Sequence, residues 1–199
     1  MIDKFKFFNG YKEHIGRVRS DSLVHAIDAL LDFMDADVHV NTNIPYMAYM
    51  LATTYHETAG TMKPINEYGK GRGRKYGVPH ENGQTYFGRG YVQLTWAINY
   101  SKMSSILRRE YPDLYDIEEF ASDFMYDRPK LALQADIAYH IMSSGMRLGI
   151  FTGKKLDNYL NSTTIDYKGA RRIINGTDKR TLIAGYANSF ERILKGAIK

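Results

Sequence analysis

The sequence predicts a mainly helical fold, interrupted by a loop or short-hairpin region near residues 62–90. Apolar residues recur at helical spacing along most of the chain, and cap residues stand where those patterns begin and end. Eight glycines crowd between Gly60 and Gly90, namely Gly60, Gly69, Gly71, Gly73, Gly77, Gly83, Gly88 and Gly90. The 199 residues are 44% hydrophobic and 25% charged, a balance that can bury a core and that excludes a disordered tail or a fibre. No internal repeat or long linker divides the chain, which points to one domain over 1–199, folded as two lobes around a cleft.

Val24, Ile27, Leu30, Leu31 and Phe33 mark a first helix, with cap oxygens ahead of it in Ser20-Asp21-Ser22. A second helix starts near Asn43 with Pro45 in its first turn. It runs through Met47, Leu51 and Tyr55 toward Glu57 and stops at Thr58-Ala59-Gly60. From Met62 to Gly90 the glycines, together with Pro64 and Pro79, exclude a helix interior. Helical periodicity returns from Val92 to Leu107. It returns more strongly from Leu131 to Met146, where Asp127 and Pro129 mark the start. A shorter helix from about Tyr167 ends at the cap pair Asn175-Gly176. Thr177-Asp178 then caps a last helix carrying Leu182, Tyr186, Phe190 and Ile193.

Composition removes several chemistries. With no cysteine, the chain has no disulfide framework, thiolate zinc site, iron–sulfur cluster or cysteine nucleophile. Lys and Arg total 27 against 22 Asp and Glu, a net charge of +5 that favours a polyanionic partner: nucleic acid, anionic lipid or bacterial wall polymer. Residues Met1 to Phe8 alternate charged and apolar groups and build no secretory signal, and no stretch approaches the roughly 20 apolar residues of a membrane span. The chain is therefore expected to begin soluble and cytoplasmic, without stable membrane insertion.

Four familiar motifs fail on one residue each. His56-Glu57 opens a helical zinc-protease pattern, but the second histidine would fall at Gly60. Asp35-Ala36-Asp37 opens a calcium loop whose required glycine is Val40, and Gly71-Arg72-Gly73 lacks the third glycine of a dinucleotide fingerprint at Tyr76. No lysine follows a glycine loop in the way a phosphate-binding loop needs. What remains is Glu57 at the end of a helix and Glu67 at the mouth of the glycine-rich segment. Two carboxylates on opposite sides of a cleft are the minimum equipment for glycoside hydrolysis, one donating a proton to the leaving oxygen and the other activating water. Tyr55, His56, Tyr68, Tyr86, Tyr91 and Trp96 lie close in sequence and suit sugar rings, although aromatic residues at helical spacing also read as core.

The strings Tyr55-His56-Glu57-Thr58, Tyr86-Phe87-Gly88-Arg89-Gly90-Tyr91-Val92-Gln93-Leu94-Thr95-Trp96 and Asn99-Tyr100 resemble glycoside hydrolase family 19, the chitinase-like group of the lysozyme superfamily, and within it the phage endolysins. Ile173-Ile174-Asn175-Gly176 matches a third element, so the resemblance keeps its order from about Ala48 to Phe190. It implies a lysozyme-like helical fold forming one catalytic domain, without a separate wall-binding domain. Glu57 would be the general acid. The second carboxylate would be Glu67, with Glu81 in Pro79-His80-Glu81-Asn82-Gly83 as the competing choice. Thr95 stands at the place of the water-positioning hydroxyl. Gln93, Asn99 and Asn175 match sugar-contacting amides, and His56, Tyr86 and Trp96 would line the sugar site. Gln93 and Asn99 read equally as backbone bridges, and Asn175 as a helix cap. Arg89, between two glycines, is expected to organise the site by pairing with a carboxylate.

The scheme needs no metal or cofactor. An ordinary glutamic acid, titrating near about 4.3, holds its proton at neutrality in only about one molecule in 500, so a general acid here needs burial or a negative neighbour. An inverting pair stands about 6.5–9.5 Å apart to admit water. The chain departs from the plant chitinases in lacking cysteines, in the apolar Trp96-Ala97-Ile98 and in carrying Lys70, Arg72, Arg74 and Lys75. That basic run reads either as a rim attracting the peptide carboxylates of peptidoglycan or as a solvated loop. The resemblance thus implies a monomeric endolysin cutting β-1,4 bonds in peptidoglycan glycan strands. It would collect in the host bacterial cytoplasm and reach the periplasm or cell wall through a holin-type pore. A chitinase, a non-catalytic wall-binding module and a nucleic-acid-binding protein are the rival readings. The basic last helix, with Arg192, Lys195 and Lys199, leaves contact with outer-membrane lipid open.

Overall fold

The computed structural model describes residues 1–120 and 123–198, so Lys199 of the basic terminal segment lies outside the described residues. In chain order its helices are α1 (Lys4–His14), α2 (Asp21–Ala36), α3 (Ile44–Glu57), α4 (Ala97–Glu110), α5 (Pro112–Tyr115), α6 (Phe124–Asp127), α7 (Ala135–Leu148), α8 (Tyr167–Ala170) and α9 (Arg180–Ala197). Two short strands, β1 (Ile65–Asn66) and β2 (Arg89–Gly90), pair antiparallel. The protein is mainly helical, with a small hairpin in the glycine-rich region. It divides into two compact units, Met1–Lys63 with Met146–Lys199, and Pro64–Gly145. Among the described residues no helix is long and apolar enough to cross a membrane.

In the first unit both ends of the chain meet: the Asp3 amide donates to the Ala197 carbonyl at 2.8 Å. Helix α1 escapes the periodicity reading because its buried face is only Phe7 and Tyr11, one turn apart, while Phe5 is 78% exposed. The side chain of Asp3 caps it by accepting from the Lys6 amide. Helix α9 packs against α1, α3 and α8 through Ile183, Ala187, Phe190 and Leu194. Its stripe runs one residue later than expected at the start, leaving Leu182 46% exposed. Thr177-Asp178 does not cap this helix. Lys179, in the left-handed region at φ 54°, precedes it without a side-chain cap, and the Asp178 carbonyl is spent on Arg171. Helix α8 is also shorter than expected, giving way at Arg171 to a 3₁₀ turn over Arg171–Ile173.

Helices α2 and α3 follow the sequence signals closely. Ser20 Oγ accepts from the Leu23 amide, and Asn43 Oδ1 accepts from the Tyr46 amide. At the far end of α3, buried Thr58 donates from Oγ1 to the Thr54 carbonyl at 2.7 Å and accepts from the Met62 amide at 3.0 Å. One hydroxyl thus fixes both the last turn, which carries Glu57, and the chain's exit from it.

In the second unit Ile65 faces Gly90 and Asn66 faces Arg89 across the hairpin. Gln93 Nε2 donates to the Ile65 and Gly90 carbonyls at 3.2 and 3.1 Å, tying the strands together. Helix α4 starts at Ala97 instead of Val92, because residues 92–96 make a turn. Arg89 and Leu94 exchange backbone hydrogen bonds, and Gln93 and Trp96 take φ of 54° and 75°. Helix α7 starts at Ala135 instead of Leu131, since Pro129–Leu133 forms a 3₁₀ turn. That turn lies against the hairpin: a Cβ on Gly90 would stand 2.8 Å from the Ala132 carbonyl oxygen.

The glycine-rich segment closes on itself at Gly71, where an added Cβ would stand 2.8 Å from Gly77 Cα and 3.1 Å from Phe87 Cβ, at a φ of +72°. Gly83 has nearly the same φ, +73°, with open space around it. Gly71→Ala should therefore cost roughly 2–4 kcal/mol and Gly83→Ala only about 1 kcal/mol, read from urea unfolding midpoints. Equal losses would contradict the packed closure at Gly71.

Candidate active site

The expected site residues fall in both units. His56, Glu57 and Asn175 belong to the first; Glu67, Glu81, Tyr86, Arg89, Gln93, Thr95, Trp96 and Asn99 belong to the second.

In the first unit Glu57 ends α3 with its side chain 16% exposed, and Arg171 Nη1 donates to its Oε1 at 2.6 Å. The Arg171 side chain is 3% exposed, and its Nε donates to the Asp178 carbonyl at 3.0 Å. A guanidinium fixed at two points holds the carboxylate in one orientation, and it engages only one of its oxygens. The backbone around Arg171 is held as well. Tyr49 donates its hydroxyl to the Ala170 carbonyl at 2.8 Å, and burial pushes the phenol well above its ordinary range, so it stays a donor. The Asn175 amide donates to the Arg171 carbonyl, but the turn is closed at Ile174, one residue before the expected cap, and the Asn175 side chain is exposed just before Gly176 at φ 51°. His56 is half-buried beside the acid.

In the second unit Glu67 follows β1 and is half-buried. Tyr76 donates its hydroxyl to Oε1 at 2.9 Å, and the Gly88 amide donates to Oε2 at 3.1 Å. Both oxygens act as acceptors, the arrangement of an ionised carboxylate. Burial, and then the bond to Glu67, raise the Tyr76 phenol above its ordinary value, so the donor keeps its proton. Glu81 is exposed in the turn closed by the Gly83 amide on the His80 carbonyl. Thr95 Oγ1 donates to the Gln93 carbonyl at 2.7 Å, and Asn99 Nδ2 donates to the Thr95 carbonyl at 2.8 Å. Trp96 is 48% exposed and meets the Tyr76 ring edge-on at 5.1 Å. Gln93 and Trp96 hold left-handed φ values without being glycine, each at a cost of order 1–3 kcal/mol, and such outliers concentrate at functional sites.

Two expectations are corrected. Tyr86 is fully buried and cannot meet a sugar: it stacks on Tyr126 at 4.9 Å and donates its hydroxyl to the Tyr126 carbonyl. Among the described residues Arg89 pairs with no carboxylate. Its Nη1 donates to the Thr85 and Phe87 carbonyls and the Tyr100 hydroxyl, and its guanidinium lies 3.7 Å from the centre of the Phe87 ring. It is a structural clamp under the hairpin. The arginine that pairs with a candidate site carboxylate is Arg171, on Glu57, and the phenol that holds Glu67 is Tyr76. Sequence reasoning passed over both, Arg171 because the pair Arg171-Arg172 looks like a solvated helix end, and Tyr76 because it was weighed only as a failed glycine. Among the described residues no group of His, Asp and Glu side chains is placed to hold a metal ion.

Removing one member of the Glu57–Arg171 pair should strand the other. Arg171→Met should destabilise the protein by about 2–4 kcal/mol. A double-mutant cycle with Glu57→Gln should return a coupling of about 1–3 kcal/mol in urea unfolding, and a coupling near zero would show that the pair does not hold.

No family model, curated protein or solved structure matches this chain.

Proposed function

We propose that the protein hydrolyses β-1,4 bonds in the glycan strands of peptidoglycan by an inverting mechanism, with Glu57 as general acid and Glu67 as general base, as a phage endolysin would. The observation that carries this reading is how each carboxylate is anchored. Glu57, from the Tyr55–Thr58 string, is held by Arg171, 114 positions along the chain beside the Ile173–Gly176 string. Glu67 is held by Gly88, inside the Tyr86–Trp96 string. Of these braces Gly88 lies inside a string that carries the family resemblance, Arg171 lies two positions before another, and Tyr76, which also holds Glu67, lies outside them.

The chemistry assigned to each group follows from its bonds. Arg171 leaves Oε2 of Glu57 for the catalytic proton, which passes to the leaving glycosidic oxygen as the bond to the anomeric carbon breaks. The guanidinium stabilises the carboxylate left behind, and the reading requires Glu57 to take up its proton before the step against the pull of that same cation. Glu67, ionised, takes a proton from the attacking water. Thr95 donates its hydroxyl proton to the Gln93 carbonyl, so it would offer that water only acceptor lone pairs. The reading requires the two lobes to face each other across a cleft, with the carboxyl groups about 6.5–9.5 Å apart when substrate is bound. It also places the protein in the host bacterial cytoplasm until a pore admits it to the wall.

Glu57→Gln and Glu67→Gln should each lower release of new reducing ends from purified peptidoglycan by about 10²–10⁴-fold; because Glu57→Gln also removes the anion that matches buried Arg171, its turnover is read well below the temperature at which it unfolds. Glu81→Gln should leave turnover unchanged. Mass spectrometry of the digest identifies the sugar at each new end. Retained turnover in Glu57→Gln, or loss in Glu81→Gln with Glu67→Gln active, would overturn the assignment.

A further inference from the structure

The run Lys70, Arg72, Arg74 and Lys75 is open to two readings in the sequence, a mobile solvated stretch or a built surface. Its backbone decides for the second. The amides of Lys70, Arg72, Arg74 and Gly77 donate to the carbonyls of Glu67, Gly69, Gly71 and Arg74 at 2.9–3.0 Å, a ladder of consecutive tight turns. Buried Gly71 packs against Gly77 and Phe87 at the centre of the ladder. Both ends of the loop are tied to one residue. Lys70 bonds the Glu67 carbonyl, and Tyr76, directly after Lys75, bonds the Glu67 carboxylate at 2.9 Å. All four cationic side chains are exposed, and among the described residues none is paired with an acid. The positive charge of Arg74 reaches the Tyr76 phenol, whose rise it opposes.

Four unpaired cations on a fixed frame that hangs from a candidate catalytic carboxylate are an arrangement for holding an anion attached to the substrate. A solvated loop would gain nothing from a glycine closure that costs it conformational freedom. In peptidoglycan every second sugar carries a short acidic peptide, so a strand seated at Glu67 brings peptide carboxylates within one side-chain length of the bond to be cut. Chitin brings none.

We propose that the Lys70–Lys75 loop is a specificity surface that binds the carboxylates of the stem peptide, so that the protein selects peptide-bearing glycan over bare glycan. This rests on the hydrolase reading above for its substrate and is tested separately from it by binding.

The test uses the full chain and two probes made from the same soluble glycan strands, one peptide-bearing and one stripped of peptides by an amidase. At low salt, kcat/KM on peptide-bearing strands should exceed that on stripped strands by at least about tenfold, and the gap should close as salt is raised. Combining Lys70→Gln, Arg72→Gln, Arg74→Gln and Lys75→Gln should bring the peptide-bearing value down to the stripped one. The stripped value itself should not move, which also reports an intact fold. Calorimetry with Glu57→Gln should show the same preference in affinity without turnover. Equal cleavage of both probes, in the parent and in the fourfold variant, would overturn the loop assignment and leave the hydrolase reading standing. Loop-dependent binding of peptide-bearing strands without cleavage by the parent would support the loop and remove the hydrolase reading. Tighter binding to a DNA duplex than to peptide-bearing strands, lost on the same four substitutions, would overturn the proposal in favour of a nucleic-acid surface.

Discussion

The ion pair between Arg171 and Glu57, 2.6 Å long and largely out of water, is the constraint on which the first unit's organisation turns. A cation that is 3% exposed costs several kcal/mol to desolvate unless it is matched, so the fold must deliver an anion to it from elsewhere in the chain. The last residue of α3 supplies that anion. The surrounding features follow from holding both partners still: Thr58 pins the helix end, Tyr49 pins the backbone at Ala170, and the Asp178 carbonyl occupies Arg171 Nε.

The second unit meets a different difficulty by different means. Its hairpin has only two residues in each strand, too few to stand by themselves. Side chains therefore carry what ladder hydrogen bonds would otherwise supply. Gln93 bridges the two strands and the Arg89 guanidinium fastens three oxygen atoms beneath them. The buried charge of Arg89 is met by carbonyl and phenol dipoles at Nη1 and by an aromatic face, while its Nε finds no hydrogen-bond partner among the described residues. Glu67 is consequently free of any cationic partner in that clamp and is held by neutral donors alone, as suits a proton acceptor. The two candidate acids thus sit in different settings, one beside a buried cation and the other among neutral dipoles.

Local signals in the sequence located what local chemistry decides. Ser20 and Asn43 act as the caps they resemble, α3 ends at Glu57, and the glycine-rich stretch holds a hairpin and no long helix. The misses have a common cause in tertiary demands on residues that look ordinary nearby. Val92 to Trp96 keeps a helical apolar spacing, yet closing the Arg89–Leu94 turn takes those residues away from the helix. Pro129 reads as a helix start, but the turn that follows takes 3₁₀ geometry and lies close against Gly90 of the hairpin. At the site, Glu57 and Glu67 were legible as acids at the ends of elements. Their partners Arg171 and Tyr76 were not, because 114 and 9 positions separate each from its carboxylate and no periodicity links them. Arg89 and Tyr86 stood out for the opposite reason: a charge between two glycines and an aromatic ring in a resemblance string look functional until the fold shows what they support.

The central claim is that two carboxylates act on opposite faces of one sugar ring. Stereochemistry tests it most directly, since direct displacement by water inverts the anomeric carbon whereas a covalent intermediate retains it. Proton NMR of glycan strands in the first minutes of digestion, before mutarotation mixes the anomers, should show new reducing ends in the α configuration. New ends appearing first as β anomers would contradict the account, as would strands left uncut.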